Sequence, residues 1–159
     1  MHQDVIEWEQ RGLFYVWRYP EHRKRYGPWH FAGDAAGCRS LRDLLGRMTG
    51  GPQAFRTWKL DPVSENAWRV PGYGPPRAED NFDRLRIEYD PEAKDLTSEA
   101  QAETFHLTLG PSRVGIFMDA LSKGEAGEGD FEISPTGHKR DDAWMFWWLL
   151  NGKSGKELK

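Results

Sequence analysis

Cys38 and His30 are the residues whose types and placement come nearest to chemistry. Cys38 follows Gly37 where a helix is expected to begin. Backbone N–H groups and the dipole at such a terminus lower a thiol pKa. His30 lies in an expected strand just before it. A cysteine and a histidine within hydrogen-bond reach would make an activated nucleophile. Asp34 lies between them and argues the other way. A carboxylate opposes thiolate formation, and helix capping accounts for Asp34 without catalysis. An isolated cysteine is also commonly a small buried hydrophobe. The expectation is therefore no assembled catalytic site. A small enzyme built on Cys38 and His30, or on dispersed histidines, is the alternative.

Metal and cofactor chemistry finds no matching spacing. His2, His22, His30, His106 and His138 are scattered, with no HxH or HExxH pattern. One cysteine excludes a disulfide framework and every multi-cysteine zinc motif. Glu125, Glu128 and Asp130 lack the ligand order of a calcium loop. Gly124, Gly127 and Gly129 follow a helix instead of opening one, the wrong polarity for cradling phosphate. No metal and no cofactor are expected.

The most distinctive segment runs from Trp17 to Trp29. It interleaves Arg18, His22, Arg23, Lys24 and Arg25 with Tyr26 and Trp29 in a loop bounded by prolines. Arg, Tyr and Trp are typical anchors of protein interfaces. The same mixture suits stacking plus phosphate contact on single-stranded nucleic acid, or sugar binding. A third reading is a solvated loop with Tyr26 and Trp29 folded back onto the core. The net charge of −3 disfavours nucleic acid. A protein partner is the expected occupant.

Two helices and several strands must position these groups. Leu41, Leu44, Leu45 and Met48 form one apolar stripe at helical spacing, with Asp34 as N-cap and Gly50-Gly51-Pro52 as stop. Val114, Phe117, Met118 and Leu121 form a second, opened by Gly110-Pro111 and ended by Gly124. Residues 84–89, 105–109 and 130–133 alternate apolar and polar, as half-buried strands do. Residues 13–19 are apolar on both sides, suggesting a central strand or one covered by another layer. Residues 29–32 and 54–60 read as weaker strands. Residues 144–149 read as a strand on aromatic content, with a buried helix as the alternative. Asp4 to Glu9 is ambiguous.

The class that follows is α+β: a mostly antiparallel sheet with two helices packed on one face. A shift of 76 aligns His30 with His106, Phe55 with Phe131 and Trp68 with Trp144. This suggests a duplicated ββαββ unit, with halves 1–75 and 76–152 meeting at the loop Pro71 to Pro76. One sheet with elements of similar length is the competing plan. A single domain over 1–152 and a flexible tail over 153–159 are expected. The outward set Arg84, Arg86, Glu88, His106, Asp130 and Glu132 could pair two copies as a homodimer.

Composition bounds the rest. The chain has 159 residues, 30% of them charged, and eight tryptophans. Such aromatic content is foreign to disordered chains. Most tryptophans fall in expected strands and are assigned to the core. Trp29, and one of Trp147 and Trp148, are the exceptions. Residues 1–60 hold ten basic side chains against six acidic, and residues 61–135 hold seven against sixteen. The first residues lack the basic and apolar regions of a signal peptide. The longest apolar run falls short of the ~20 residues of a membrane helix. The reading is a cytoplasmic, non-catalytic protein that binds a macromolecule, of the adaptor, inhibitor or immunity type.

Overall fold

The computed structural model describes residues 2–23, 28–128, 131–138 and 143–148. The elements in order are α1 (Gln3–Glu7), β1 (Phe14–Trp17), β2 (His30–Gly33), α2 (Ala35–Met48), β3 (Ala54–Lys59), α3 (Glu65–Arg69), β4 (Arg84–Tyr89), β5 (Thr97–Gln101), β6 (Thr104–Leu109), α4 (Pro111–Ala126), β7 (Phe131–Ile133) and β8 (Trp144–Trp148). A short 3-10 turn at Ala78–Asp80 precedes β4. The fold is α+β.

The strands divide between two four-stranded sheets, where one had been expected. Their orders are β1-β2-β8-β7 and β3-β4-β6-β5. In each, the outer pairs are antiparallel and the central pair is parallel: β2 with β8, and β4 with β6. Alternation along one strand reports which face is wet, not the direction of its neighbour, so the parallel pairs left no mark in the sequence.

With α3 and the 3-10 turn between β3 and β4 set aside as insertions, the order strand, strand, helix, strand, strand occurs twice, as β1-β2-α2-β3-β4 and as β5-β6-α4-β7-β8. Each sheet takes two strands from each half. Exchanging the halves maps the order of one sheet onto the other. His30 and His106 occupy the inner strands β2 and β6, and the N-caps Asp34 and Gly110 share the same shift. The Trp68–Trp144 match is not structural, because Trp68 lies in α3 and Trp144 in β8. The second unit begins at β5, and Pro71 to Pro76 falls inside the long connection between β3 and β4.

Local chemistry explains the helices. Asp34 Oδ1 accepts from Gly37 N at 2.7 Å and from Leu13 N at 2.9 Å, so one carboxylate caps α2 and ties β1 to it. A Cβ at Gly37 would sit 1.9 Å from the Leu13 carbonyl oxygen, so this approach requires glycine. Helix α4 runs through Gly124 and ends at Gly127, whose φ of 72° is the left-handed cap. Gly124 serves packing instead: the Cys38 sulfur lies against it, between α2 and α4.

One core spans both sheets and both long helices. Phe31 of the first sheet meets Phe105 of the second and Phe117 of α4, with ring centroids 6.2 and 5.9 Å apart. A second apolar cluster covers the other face of the first sheet, where Tyr15, Trp17, Ala32, Met145 and Trp147 lie beneath the β3–β4 connection. Strand β1 is thus an edge strand buried on both faces, the covered-layer alternative of the sequence reading. Among the described residues the second sheet has no such cover. Its outward residues are Phe55, Thr57 and Lys59 of β3, Arg84, Arg86 and Glu88 of β4, and His106 of β6.

Candidate functional site

Cys38 and His30 stand on opposite sides of the first sheet. Cys38 belongs to the core between the helices. Burial, and then the charges of Asp34 and Glu125, push its thiol up to about 12, with Arg42 opposing weakly. His30 belongs to the strand face covered by the β3–β4 connection. It is fully buried, with the Trp17 ring at a centroid distance of 5.7 Å and the Trp147 ring nearly coplanar with it at 6.0 Å. Tyr19 approaches its edge at 4.8 Å. Trp147 Nε1 donates to His30 Nδ1 at 2.8 Å. An indole nitrogen only donates, so Nδ1 is an acceptor and the neutral ring carries its proton on Nε2. Neither group reaches solvent or the other. Among the described residues, no three histidine, cysteine or carboxylate side chains could hold a metal.

In the described part of the basic aromatic segment, Arg18, Arg23 and Trp29 are engaged in packing. Arg18 donates to both carboxylate oxygens of buried Asp80, at 2.9 and 3.1 Å, and its guanidinium lies 4.4 Å over the Trp29 ring. Trp29 in turn packs edge-on to Phe105 at 4.6 Å. Arg23 donates to the Tyr73 carbonyl and to exposed His22. Lys24, Arg25 and Tyr26 lie outside the described residues, as do Asp130 and the tail 153–159. Trp29 is buried, as in the reading that folds it back onto the core, and Trp147 of the adjacent pair Trp147 and Trp148 is buried as well. The long β3–β4 connection, which composition did not reveal as a cover, accounts for Trp147. Phe82, at the end of that connection, packs on Trp29.

Of the outward set expected to pair two copies, Arg84, Arg86, Glu88 and His106 share one face of the second sheet, while Glu132 is on β7 of the first. By register, His106 faces Glu99 across β5–β6 and Arg86 across β4–β6. It is the counterpart of His30 with polar neighbours in place of tryptophans.

Two surfaces of the described residues bear on binding. The first is a groove of about 680 Å³ along α2, bordered by Arg11, Arg39, Arg42, Arg47 and the acids Glu9 and Asp43. Its charges are mostly matched: Arg39 and Arg42 reach Glu125 at 3.2 and 2.8 Å, Arg47 reaches Asp43 at 3.1 Å, and Arg11 reaches Glu9 at 3.2 Å. The second is the outer edge of β3. Gln10 binds both backbone groups of Lys59 there, so Lys59 points away from β4. Strand alternation then turns the N–H and C=O groups of Phe55 and Thr57 the same way. Neither residue's backbone has a partner on that side among the described residues. The sequence reading missed this edge, because an open edge is defined by what does not pair with it and residue spacing along β3 reports only its faces.

No family model, curated protein or solved structure matches the chain.

Proposed function

We propose that this chain is a non-catalytic module that binds another protein, as an adaptor, inhibitor or immunity-type protein does. The carrying observation is the separation of reactive groups from open surfaces. Cys38 and His30 are both buried, in different clusters. The groove along α2 is bordered by arginines and carboxylates that mostly hold each other in place, and the Ser40 hydroxyl on it is tied to the Glu9 carbonyl. Matched, pre-ordered charges suit recognition of a protein surface, where they set specificity and encounter rate. Stacking of single-stranded nucleic acid loses support, because Arg18 and Trp29 are engaged with each other and with Asp80.

The test is capture from native lysate with cross-linking, using wild type beside Arg11→Glu/Arg39→Glu and Lys59→Glu/Arg84→Glu. These side chains are exposed, so the fold should survive. A discrete protein held by wild type and lost from one variant supports the reading. Nuclease-sensitive capture, or a turnover activity abolished by Cys38→Ser, overturns it.

A further inference from the structure

Resting on that reading, we propose that the open edge of β3 receives an extended segment of the partner as an added strand, with an apolar side chain beside Ile6 and Phe55 and an acidic one between Lys59 and Arg84. The edge offers the outward N–H and C=O groups of Phe55 and Thr57, which alternate in the manner an incoming strand needs. The N-terminal segment runs alongside without closing it. Arg56 holds the Val5 and Ile6 carbonyls at one end, and Gln10 holds Lys59 at the other.

Between these two anchors lie two hollows that share Thr57. One, of about 430 Å³, is bordered by Ile6 and Phe55. The other, of about 370 Å³, is bordered by Gln10, Lys59, Asp83 and Arg84. Ile6 and Phe55 are two of the three exposed large hydrophobic residues found among the described residues. The Arg86 guanidinium lies 3.8 Å over the Phe55 ring and holds it in place. Side chains at even spacing on a strand share a face, so one extended segment can serve both hollows.

Charge chooses the occupant. Arg84 meets Asp83 at 3.5 Å, which leaves Lys59 as the surplus cation of the second hollow and favours a carboxylate. A second copy paired about Arg56 fits worse. Pairing β3 with itself about a two-fold axis at Arg56 sets arginine against arginine, and directly opposed like charges destabilise a strand pair.

The probe is a fluorescein-labelled peptide alternating valine and glutamate, followed by fluorescence anisotropy. A lysine-for-glutamate version is the control. Thr57→Pro removes one outward N–H while leaving the β3–β4 ladder intact, because proline is tolerated on the solvent side of an edge strand. Thermal unfolding confirms the fold of each variant. The expected result is binding of the acidic peptide by wild type, weakened about tenfold or more by Thr57→Pro. Lys59→Glu/Arg84→Glu should reverse the preference toward the lysine peptide. No binding at about 1 mM, or binding indifferent to Thr57→Pro, overturns the proposal. So does concentration-dependent self-association of wild type that Thr57→Pro abolishes, which would make the occupant a second copy. If the edge fails while Arg11→Glu/Arg39→Glu still changes partner capture, the binding-module reading survives without it.

Discussion

Gln10 binds both backbone groups of Lys59, donating from Nε2 to the carbonyl at 2.8 Å and accepting from the N–H at 2.7 Å. One side-chain amide thus does for Lys59 what a neighbouring strand would do. Unpaired edges recruit other chains, and proteins limit them by covering part of the edge. Gln10 sets where the open stretch stops.

Gln10→Ala should lengthen the open edge from Phe55–Thr57 to Phe55–Lys59. The expected result is tighter binding of the valine–glutamate peptide, more self-association by sedimentation, and a stability loss of about 1 kcal/mol. Gln10→Glu keeps the acceptor and loses the donor, so its effect should be intermediate. Unchanged peptide affinity in both variants would separate Gln10 from any control of the edge.

The two tryptophans that flank His30 should respond differently to the same substitution. Trp147 donates to His30 Nδ1, whereas the buried Trp17 Nε1 has no hydrogen-bond partner. The Trp17 indole is near enough to the Tyr19 hydroxyl to ease its ionisation, but burial dominates and holds that phenol well above its ordinary range. Trp147→Phe removes the donor to a buried acceptor, at a cost of about 1–3 kcal/mol beyond the lost ring volume. Trp17→Phe removes an N–H that gains nothing where it sits. Chemical denaturation should therefore rank Trp147→Phe as the more damaging change. Equal losses would mean that volume alone governs the cluster.

Arg18 was a binding candidate from sequence and is a structural residue by its contacts. Its forked pairing with Asp80 joins β1 to the turn before β4, in a site where Asp80 is 6% exposed. Removing one partner of such a pair leaves the other charge poorly solvated. Arg18→Ala and Asp80→Ala should each cost about 3 kcal/mol, and the double variant should cost less than their sum. Additive losses would show that the two side chains act independently. A partner-binding defect in Arg18→Ala without loss of stability would restore it as a recognition residue.

What was legible in the sequence followed from periodicity and caps. Leu41, Leu44, Leu45 and Met48 sit in α2 beneath an Asp34 cap, and residues 144–148 form a strand as their aromatic content indicated. Strand β5 was invisible because every residue of Thr97–Gln101 is exposed, and only pairing to β6 makes it a strand. The division into two sheets was hidden because it depends on which half supplies each neighbour, a non-local choice. The candidate site fared worse for the same reason. Arg18 and Trp29 looked available until Asp80 and Phe105, distant in sequence, were brought against them. The open edge at Thr57 is defined by what does not pair with it, which no local pattern records.

Cys38 makes the pH dependence of stability specific. Its thiol is raised to about 12 in the folded chain, chiefly by burial. In the unfolded chain a thiol ionises near pH 8.5. The folded state therefore binds the proton more tightly, and the neutral thiol is compatible with folding at any pH below the unfolded value. As pH rises above about 8.5, the unfolded state loses its proton and gains stability while the folded state does not. Stability should thus be flat with respect to this group up to about pH 8 and then fall, by up to about 1.4 kcal/mol per pH unit, until the folded thiol also ionises. Tyr19, raised by burial as well, adds a second decline above about pH 10, the usual phenol value. Cys38→Ala should remove the decline between about pH 8.5 and 10 and leave the later one. Urea unfolding of both proteins at stepped pH measures the difference directly. A wild-type slope in that window no steeper than that of Cys38→Ala would mean that the thiol ionises in the folded chain as readily as in the unfolded one. Cys38 would then be reactive after all, and iodoacetamide would label the native protein at the rate of a free thiol.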